Sequence, residues 1–418
     1  MPRDTSTDYR HPHRPLPVAL FNRVGRSVER LGLRADLSLS SLERGARGKT
    51  GLSDFGDRGY RRPLGLLLDS IEREARLTPL GRVMARSNLI RILAGRLRIE
   101  RQLREHPEIE QPLEPPIFIV GLQRTGTTLL HRLLASDPRL RHLASWEAVN
   151  PAPLSTRNGG EDPRIRQARL AEHALAYLAP DFFAVHPVQA TAPEEDCLLL
   201  DFTFFSTVFE ATQWVPAFSS WLERQPDHGP AYRYYRRILQ LLSWQRGGRW
   251  VLKTPHHMEH MDTLLSVFPG ARMIHTHRDP VQALASFCSM MSHGYGLFSD
   301  DVDPHAVGRH WSHKTHRMVQ RAMATRDRLG PEAGRHLLDV AYLDLVADPL
   351  AQVRRIYDWV ELELTPQVER GMRAFLGANP QHKHGRHRYR LEHFGLDRDE
   401  EERRFAPYRQ RFNIPCAG

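Results

Sequence analysis

The residues in this sequence whose types and spacing best suit chemistry lie in a glycine-containing loop. Four apolar residues at 117–120 predict a short buried strand that ends at Gly121. Gly126, Thr127 and Thr128 follow, and apolar positions at helical spacing come next. The two glycines match a phosphate-binding loop, in which backbone N–H groups approach an anion at the positive end of a helix. The alternative is a strand-to-helix turn that binds nothing.

This loop lacks the lysine with which nucleoside triphosphatases contact the β- and γ-phosphates. Thr127 stands in the position of that lysine, and Arg124 lies inside the loop. We therefore expect a phosphate-like group to bind here without the usual machinery for cleaving the β–γ bond of ATP.

Two later predicted strands end in cations. Residues 250–252 form an apolar run followed by Lys253, and residues 271–276 are predicted to form a further strand that leads to Arg278. In a parallel sheet the carboxyl ends of the strands share one edge, so these cations would grip a polyanion there. Lys253 is informative because only four of the 59 basic residues are lysines.

A fourth predicted strand, 336–341, runs into Tyr342. Strands separated by helices predict an α/β fold with a mainly parallel central sheet and right-handed crossovers.

A carboxylate that would lie near the same edge of the sheet follows the loop helix. Glu147 would lie near the carboxyl end of a neighbouring strand if that strand is parallel, and ligands sit at this edge in open α/β sheets. An exposed glutamate that caps a helix is the alternative. The acidic trio at 194–196 favours a helix N-terminus.

Composition restricts the class of protein. The net charge of +10 suits an anionic ligand or membrane headgroups, but the sequence has no zinc-finger spacing and no pattern of an RNA-binding sheet, so nucleic acid is not expected. The three cysteines are far apart, which argues against a disulfide framework and a structural zinc site. No apolar run is long enough to span a membrane and no signal-peptide core is seen, which predicts a cytoplasmic location.

The chain divides into three parts by composition. Residues 1–16 predict a mobile tail, 17–110 a helical lead-in, and 111–418 the main domain. Within the main domain, 156–248 is helical and rich in aromatic residues, which form core or line an apolar acceptor pocket. The basic cluster at 383–390 is either a solvated charge run or a loop that closes over an anionic ligand.

Together the loop, the strand ends at Lys253 and Arg278, and Ser286 eight residues beyond Arg278 resemble the sulfotransferases that use 3′-phosphoadenosine 5′-phosphosulfate (PAPS). The sequence is most similar to the bacterial branch related to the tyrosylprotein-type enzymes, strongly over about 115–300. The resemblance implies a three-layer fold like that of the P-loop nucleoside triphosphatases, with helical N-terminal and acceptor-side segments.

The resemblance also implies roles for individual residues. Lys253 would stabilise charge on the leaving phosphate, and Glu147 would take the proton of the acceptor hydroxyl. Arg278 and Ser286 would hold the 3′-phosphate, and Tyr342 would approach the adenine. The loop that would hold the 5′-phosphosulfate consists of Gln123, Arg124, Thr125, Gly126, Thr127 and Thr128.

Residues 380–395 resemble the family's nucleotide-covering loop, with Arg386 and Tyr389 against the nucleotide, but they lack the extended Arg-Lys-Gly motif of the cytosolic enzymes.

The expected activity is transfer of a sulfuryl group from PAPS, without a metal, to a hydroxyl or, less readily, an amine, releasing adenosine 3′,5′-bisphosphate. Two alternatives stay open, namely a non-catalytic nucleotide-binding protein of the same fold and an ATP- or GTP-using phosphotransferase. The aromatic content of 182–221 leans toward a small-molecule or lipid acceptor of hydrophobic character, and peripheral contact with a membrane stays open. The sequence does not indicate an oligomeric state.

Overall fold

Five parallel strands form the centre of the protein. The computed structural model describes residues 9, 12, 14–154, 160–185, 188–379 and 390–415. The strands are β1 Ile117–Gly121, β2 Leu140–Arg141, β3 Arg249–Lys253, β4 Arg272–His277 and β5 Leu337–Ala341. Their order across the sheet is β2–β3–β1–β4–β5, and every neighbouring pair is parallel. The predicted α/β fold with a mainly parallel central sheet is confirmed.

Both faces of the sheet are covered by helices. In β1, Phe118 and Val120 join the larger hydrophobic core on one face, whereas Ile117 and Ile119 join a second core on the other. Apolar residues on both faces are expected of a buried parallel strand, because successive side chains point to opposite sides. The sheet with its two helical layers gives the expected three-layer fold.

Four helices precede the sheet: α1 Leu16–Arg30, α2 Leu39–Thr50, α3 Arg61–Glu74 and α4 Pro79–Glu105. Between the first and last strands lie α5 Thr127–Leu134, α6 Ser145–Val149, α7 Pro163–Leu178, α8 Pro180–Val185, α9 Val208–Thr212, α10 Pro216–Glu223, α11 Gly229–Gln245, α12 Met261–Val267, α13 Pro280–Phe298, α14 Pro304–Leu329 and α15 Ala333–His336. The last four are α16 Tyr342–Ala347, α17 Pro349–Trp359, α18 Pro366–Ala378 and α19 Arg398–Arg411.

Short 3₁₀ helices complete the described structure: Arg58–Tyr60, Pro107–Ile109, Asp196–Thr203, Pro255–Glu259, Gly330–Glu332 and Leu391–Phe394.

The four strands predicted from the sequence are all present, whereas β2 was not predicted. β2 has two residues, which is too short for a periodic pattern. It lies at the edge of the sheet and pairs through Leu140 with Arg249 and through Arg141 with Trp250.

Thr78 caps the N-terminus of helix α4. The Thr78 side chain accepts a hydrogen bond from the Gly81 N–H, and Pro79 occupies the first turn, where its missing N–H has no cost. This helix is the longest of the helical lead-in.

Two side chains of the predicted mobile tail contact the domain. Tyr9 is buried, and its hydroxyl donates to the Ser289 hydroxyl at 2.8 Å. Arg14 donates to the Asp300 carboxylate, also at 2.8 Å. An aromatic side chain with a satisfied hydroxyl gains from burial, which explains the position of Tyr9. The mobility of the tail stays a prediction.

The N-terminus of α4 lies directly against the C-terminal end of α13. The Phe298 carbonyl accepts the backbone N–H of Thr78 at 2.8 Å and its hydroxyl at 3.2 Å. A Cβ atom added at Gly81 would overlap that same carbonyl oxygen. Glycine is therefore required at this position by close approach and not by backbone conformation.

We predict that Gly81→Ala lowers the free energy of unfolding by about 1–3 kcal/mol, because the added methyl group pushes α4 away from α13. Denaturant unfolding measures this change. The matched control is Gly65→Ala in α3, where an added Cβ meets no atom within 4 Å. There the helix propensity of alanine should raise stability by up to about 1 kcal/mol. A stabilising Gly81→Ala would contradict the close approach.

Candidate active site

The loop between β1 and α5 is held closed by threonine hydroxyl groups. Thr125 is fully buried, and its hydroxyl donates to the Leu122 carbonyl at 2.6 Å. The same oxygen lies 2.7 Å from the Thr276 hydroxyl on β4. The Thr125 side chain is thus used to shape the loop. Any contact of Thr125 with an anion would come from its backbone.

The second glycine of the loop is needed for two reasons. Gly126 has φ of 84°, a left-handed conformation that favours glycine. In addition, a Cβ atom there would lie 2.9 Å from the Leu345 side chain and 3.2 Å from the Tyr342 ring, both on α16. The loop and the segment after β5 are therefore in direct contact, and α5 begins at Thr127 with its N-terminus at the sheet edge.

Arg278 connects three of the predicted binding residues. Its Nη1 atom donates to the Arg124 carbonyl at 2.7 Å, and its guanidinium carbon lies 4.3 Å from the centroid of the Tyr342 ring. Its Nε atom is buried and has no hydrogen-bond partner among the described residues. An unpartnered buried donor is costly, so this atom fits an anionic ligand group.

The other loop side chains differ in exposure. Thr128 and Arg124 are exposed, whereas Gln123 is half-buried. Ser286 is also half-buried and lies on α13, the helix that begins two residues after Arg278.

Lys253 ends β3 beside the strand that carries the loop, in register with Ile119 of β1. Its side chain is only 6% exposed, and its Nζ atom lies 2.6 Å from Oε1 of Glu195. Burial alone would lower the pKa of this ammonium, but Glu195 outweighs burial and raises the pKa above its ordinary value. Lys253 is therefore charged, and its partner is a carboxylate that the sequence reasoning did not select as a site residue.

A buried network fixes Glu195 in position. The next residue, Asp196, lies 2.6 Å from Nε2 of His257 and accepts the Tyr235 hydroxyl at 2.7 Å. The pKa of Asp196 is lowered, because the His257 contact and the hydrogen bonds together outweigh burial. Glu195 thus contacts Lys253, and the adjacent Asp196 contacts His257. The segment that carries both acids is held at two points.

Glu147 lies in a different environment. It is buried, and its carboxylate contacts Arg141 at 3.0 Å and Arg246 at 3.6 Å. It also accepts the backbone N–H of Ala144 at the start of α6, at 3.1 Å. This is the helix-capping role that was the alternative in the sequence, although the side chain is buried and not exposed. The structure does not bring Glu147 into contact with Lys253.

One group of metal-ligating side chains lies close together among the described residues. His275, His277 and Asp339 have potential ligand atoms within 4.8 Å of one another. His277, however, already contacts Asp339 and the Tyr408 hydroxyl, each at 2.8 Å, and Arg326 donates to Asp339 at 2.6 Å. These contacts form a hydrogen-bonded network on the side of β4 away from the loop.

Arg386 and Tyr389, predicted to contact the nucleotide, lie outside the described residues, and so does most of the predicted covering loop at 380–395. Their roles stay predictions.

Over the described ranges, no helix has both the length and the apolar character needed to cross a membrane.

The sheet, the loop and the cations at the strand ends define the class of protein, an α/β protein of the P-loop type. The model of the sulfotransferase family matches residues 115–366. The chain is 33% identical to the sulfotransferase STF1 of Mycobacterium tuberculosis, with a TM-score of 0.78 over 88% of this chain and 98% of that one. The chain is also 29% identical to the sulfotransferase STF9 of Mycobacterium avium, with a TM-score of 0.82 over 92% of this chain and 99% of that one.

The chain belongs to the sulfotransferase family, which confirms the predicted resemblance. The relation to the tyrosylprotein-type branch stays a prediction. A curated relative, the omega-hydroxy-beta-dihydromenaquinone-9 sulfotransferase Stf3 of Mycobacterium bovis, is 26% identical over 264 residues, or 60% of this chain. This chain spans 63% of the length of that relative.

Histidine rings pack together beyond Lys253. The ring centroids of His228 and His260 are 4.0 Å apart, and those of His256 and His260 are 5.0 Å apart. Burial lowers the pKa of all three, that of His228 to about 4. The folded protein keeps these rings neutral at pH values where the unfolded chain would bind protons.

We predict that stability falls as the pH is lowered from about 6.5 to about 4.5, because only the unfolded state takes up these protons. Each buried histidine contributes up to about 1.4 kcal/mol per pH unit. In His228→Gln/His260→Gln the dependence of the unfolding free energy on pH should be shallower by about 2–3 kcal/mol per pH unit. The control is His173→Gln, an exposed position. An unchanged slope in the double variant would show that these rings do not resist protonation.

Proposed function

We propose that this protein transfers a sulfuryl group from PAPS to the hydroxyl group of a hydrophobic acceptor. The observation that carries the proposal is the contact between Lys253 and Glu195 at the end of β3, next to the phosphate-type loop. Sulfuryl transfer needs a cation for the leaving group and a carboxylate for the acceptor proton, and this pair supplies both. Membership of the sulfotransferase family supports the reaction type.

In this proposal the donor lies along the carboxyl edge of the sheet. Backbone N–H groups of 123–128 and the N-terminus of α5 hold the 5′-phosphosulfate. Arg278 and Ser286 hold the 3′-phosphate, and Tyr342 packs against the adenine. The unpartnered Nε of Arg278 supports this arrangement, as does the contact of its guanidinium with both the loop and Tyr342.

The reaction would proceed in one displacement. The acceptor oxygen forms a bond to sulfur while the bond from sulfur to the bridging oxygen breaks, and the electron pair stays on the 5′-phosphate. The ammonium of Lys253 stabilises the charge that develops on that phosphate. A carboxylate takes the acceptor proton, so the products are a sulfate ester and adenosine 3′,5′-bisphosphate.

We propose Glu195 as the residue that takes this proton, in place of Glu147. Glu195 is 30% exposed and contacts Lys253, so an acceptor can reach it beside the leaving group. The Thr254 hydroxyl donates to its second oxygen at 3.3 Å and orients the carboxylate. Glu147 is held by two arginines and caps α6, which leaves it little freedom to accept a proton from a ligand.

The hydrophobic character of the acceptor is proposed mainly from relatives. The name of Stf3 assigns it a hydroxylated menaquinone, a lipid. The aromatic residues that suggested such an acceptor are mostly core, since Phe202, Phe204 and Phe218 are fully or almost fully buried. These three side chains pack in the larger hydrophobic core and do not line a pocket for the acceptor.

We predict that adenosine 3′,5′-bisphosphate binds in titration calorimetry without magnesium, and that 5′-AMP and ATP bind at least about tenfold more weakly. Arg278→Ala should weaken binding of the bisphosphate by about tenfold or more while 5′-AMP changes little, because it removes a charged contact to the 3′-phosphate. An equal loss of affinity for both nucleotides would show that Arg278 does not contact the 3′-phosphate. Tighter binding of ATP than of the bisphosphate would favour the phosphotransferase. Binding of the bisphosphate without any sulfuryl transfer would favour the non-catalytic alternative.

We predict that Lys253→Ala lowers turnover by about a hundredfold with a smaller change in bisphosphate affinity, because Lys253 acts mainly on the developing charge.

Glu195→Gln should also lower turnover by about a hundredfold and abolish the rise of the rate with pH that a carboxylate base produces. The matched comparison is Glu147→Gln. If that variant loses turnover and Glu195→Gln does not, the base is Glu147.

A further inference from the structure

Exposed apolar side chains are concentrated at one place on the surface. Twelve large hydrophobic residues are exposed among those that the structure describes, and seven of them lie within 16–33. Single exposed apolar residues are normal, but a contiguous group marks an interaction site. The seven are Leu16, Leu20, Phe21, Val24, Val28, Leu31 and Leu33.

Five of the seven lie on α1 and form a stripe along its outer side, and Leu31 and Leu33 follow the helix. Leu16, Leu20, Val24 and Val28 recur every four residues, which places them in one row on a helix. The opposite side of α1 is already used. Val18 and Asn22 are buried there, and Asn22 accepts the Leu80 N–H at 3.0 Å. The apolar row therefore points away from the domain and no described residue covers it.

A row of arginines adjoins this apolar stripe. At 100° per residue, Arg23, Arg26 and Arg30 fall together on the flank between the stripe and the buried side, and Arg34 follows the helix. All four are exposed. The helix carries one acidic residue, Glu29, which lies on the half-buried side. Arg26 pairs with Asp300 and Arg34 with Glu72, whereas Arg23 and Arg30 have no ion-pair partner among the described residues. The surface thus combines a wide apolar face with two unpaired arginines on its flank.

We propose that α1 docks this protein onto an anionic lipid surface. The leucines and valines of the stripe enter the boundary between headgroups and acyl chains, while Arg23 and Arg30 contact lipid phosphates. A helix with an apolar face, an arginine-rich flank and low overall hydrophobicity is the kind that lies in the plane of a membrane interface. The negative potential of anionic lipids attracts such a flank.

Charge complementarity favours a lipid surface over a second copy of the chain. In a two-fold symmetric contact the arginines would face a copy of their own surface, and the single acid of α1 is turned toward the domain. Anionic headgroups supply the missing negative charge. A lipid surface also suits the proposed hydrophobic acceptor. This point rests on the proposed function, whereas the charge argument does not.

Helix α1 contacts the domain near the C-terminal end of α13. Arg26 on α1, and Arg14 two residues before the helix, both contact the Asp300 carboxylate just beyond α13. The other end of α13 begins two residues after Arg278. A single helix therefore links the proposed lipid-binding surface to the proposed nucleotide site.

The test is co-sedimentation of the full-length protein with vesicles of phosphatidylcholine alone or with about one third phosphatidylglycerol. We expect binding to the anionic vesicles that weakens with added salt. Leu20→Glu/Val24→Glu should lower the bound-to-free ratio at least about tenfold. Arg23→Ala/Arg30→Ala should lower it about fivefold for each arginine. The matched control is Leu170→Glu on α7, since Leu170 is 66% exposed and Leu20 is 63% exposed.

Three outcomes would overturn the proposal: no binding of the wild type to anionic vesicles, equal binding of Leu20→Glu/Val24→Glu, or equal loss in Leu170→Glu. A wild-type dimer that Leu20→Glu/Val24→Glu dissociates, with no vesicle binding, would assign the stripe to a second copy. Circular dichroism and thermal unfolding of every variant confirm that the fold is intact, and calorimetry with adenosine 3′,5′-bisphosphate is run on the same samples. The calorimetry separates the two proposals, because vesicle binding can fail while nucleotide binding is retained, and the reverse.

Discussion

A buried ammonium group at the end of β3 determines how the acceptor side of this protein is built. Removing a lysine charge from water costs several kcal/mol unless an anion lies beside it. Lys253 is almost fully buried, and Glu195 is its partner. The segment that carries Glu195 must therefore cover the end of β3, and this requirement holds whether or not a ligand is bound.

A second contact makes this arrangement rigid. Asp196 and His257 are both fully buried and lie 2.6 Å apart, one residue beyond Glu195 and four beyond Lys253. Displacing the segment would leave two carboxylates and a lysine without partners inside the protein, which is strongly unfavourable. The same two contacts hold the cation and the carboxylate in a fixed relation to the loop on the neighbouring strand. For a displacement that depends on position and charge, such preorganisation is a large part of what a protein can contribute.

The sequence predicts features that depend on neighbouring residues and misses contacts between residues that are far apart in the chain. The loop is predicted from residues within a few positions of one another, and so are the strands that carry the loop and the two cations. All of these elements are present in the structure. Glu195 could not be found in this way, because its contact with Lys253 joins residues 58 positions apart. Glu147 was preferred because of its place after the loop, but Arg141 on the unpredicted strand β2 is buried and takes that carboxylate.

One local signal did point to Glu195. The acidic trio is followed directly by Cys197 and three leucines, and charged residues that enter an apolar run need partners inside the fold. The interpretation as a helix N-terminus was correct for the backbone, since a 3₁₀ helix begins at Asp196, but it left out the side chains.

The buried position of the aromatic residues changes the argument for a lipid acceptor. If Phe202, Phe204 and Phe218 pack in the core, the apolar surface that is free to meet a lipid lies on α1 and not in the aromatic segment. Preference for a lipid acceptor then has a different physical basis. A pocket selects by shape and contact, whereas a protein held at a membrane meets lipid-dissolved acceptors at a high effective concentration. Location would supply much of the selectivity, and the pair Lys253 and Glu195 would supply the chemistry.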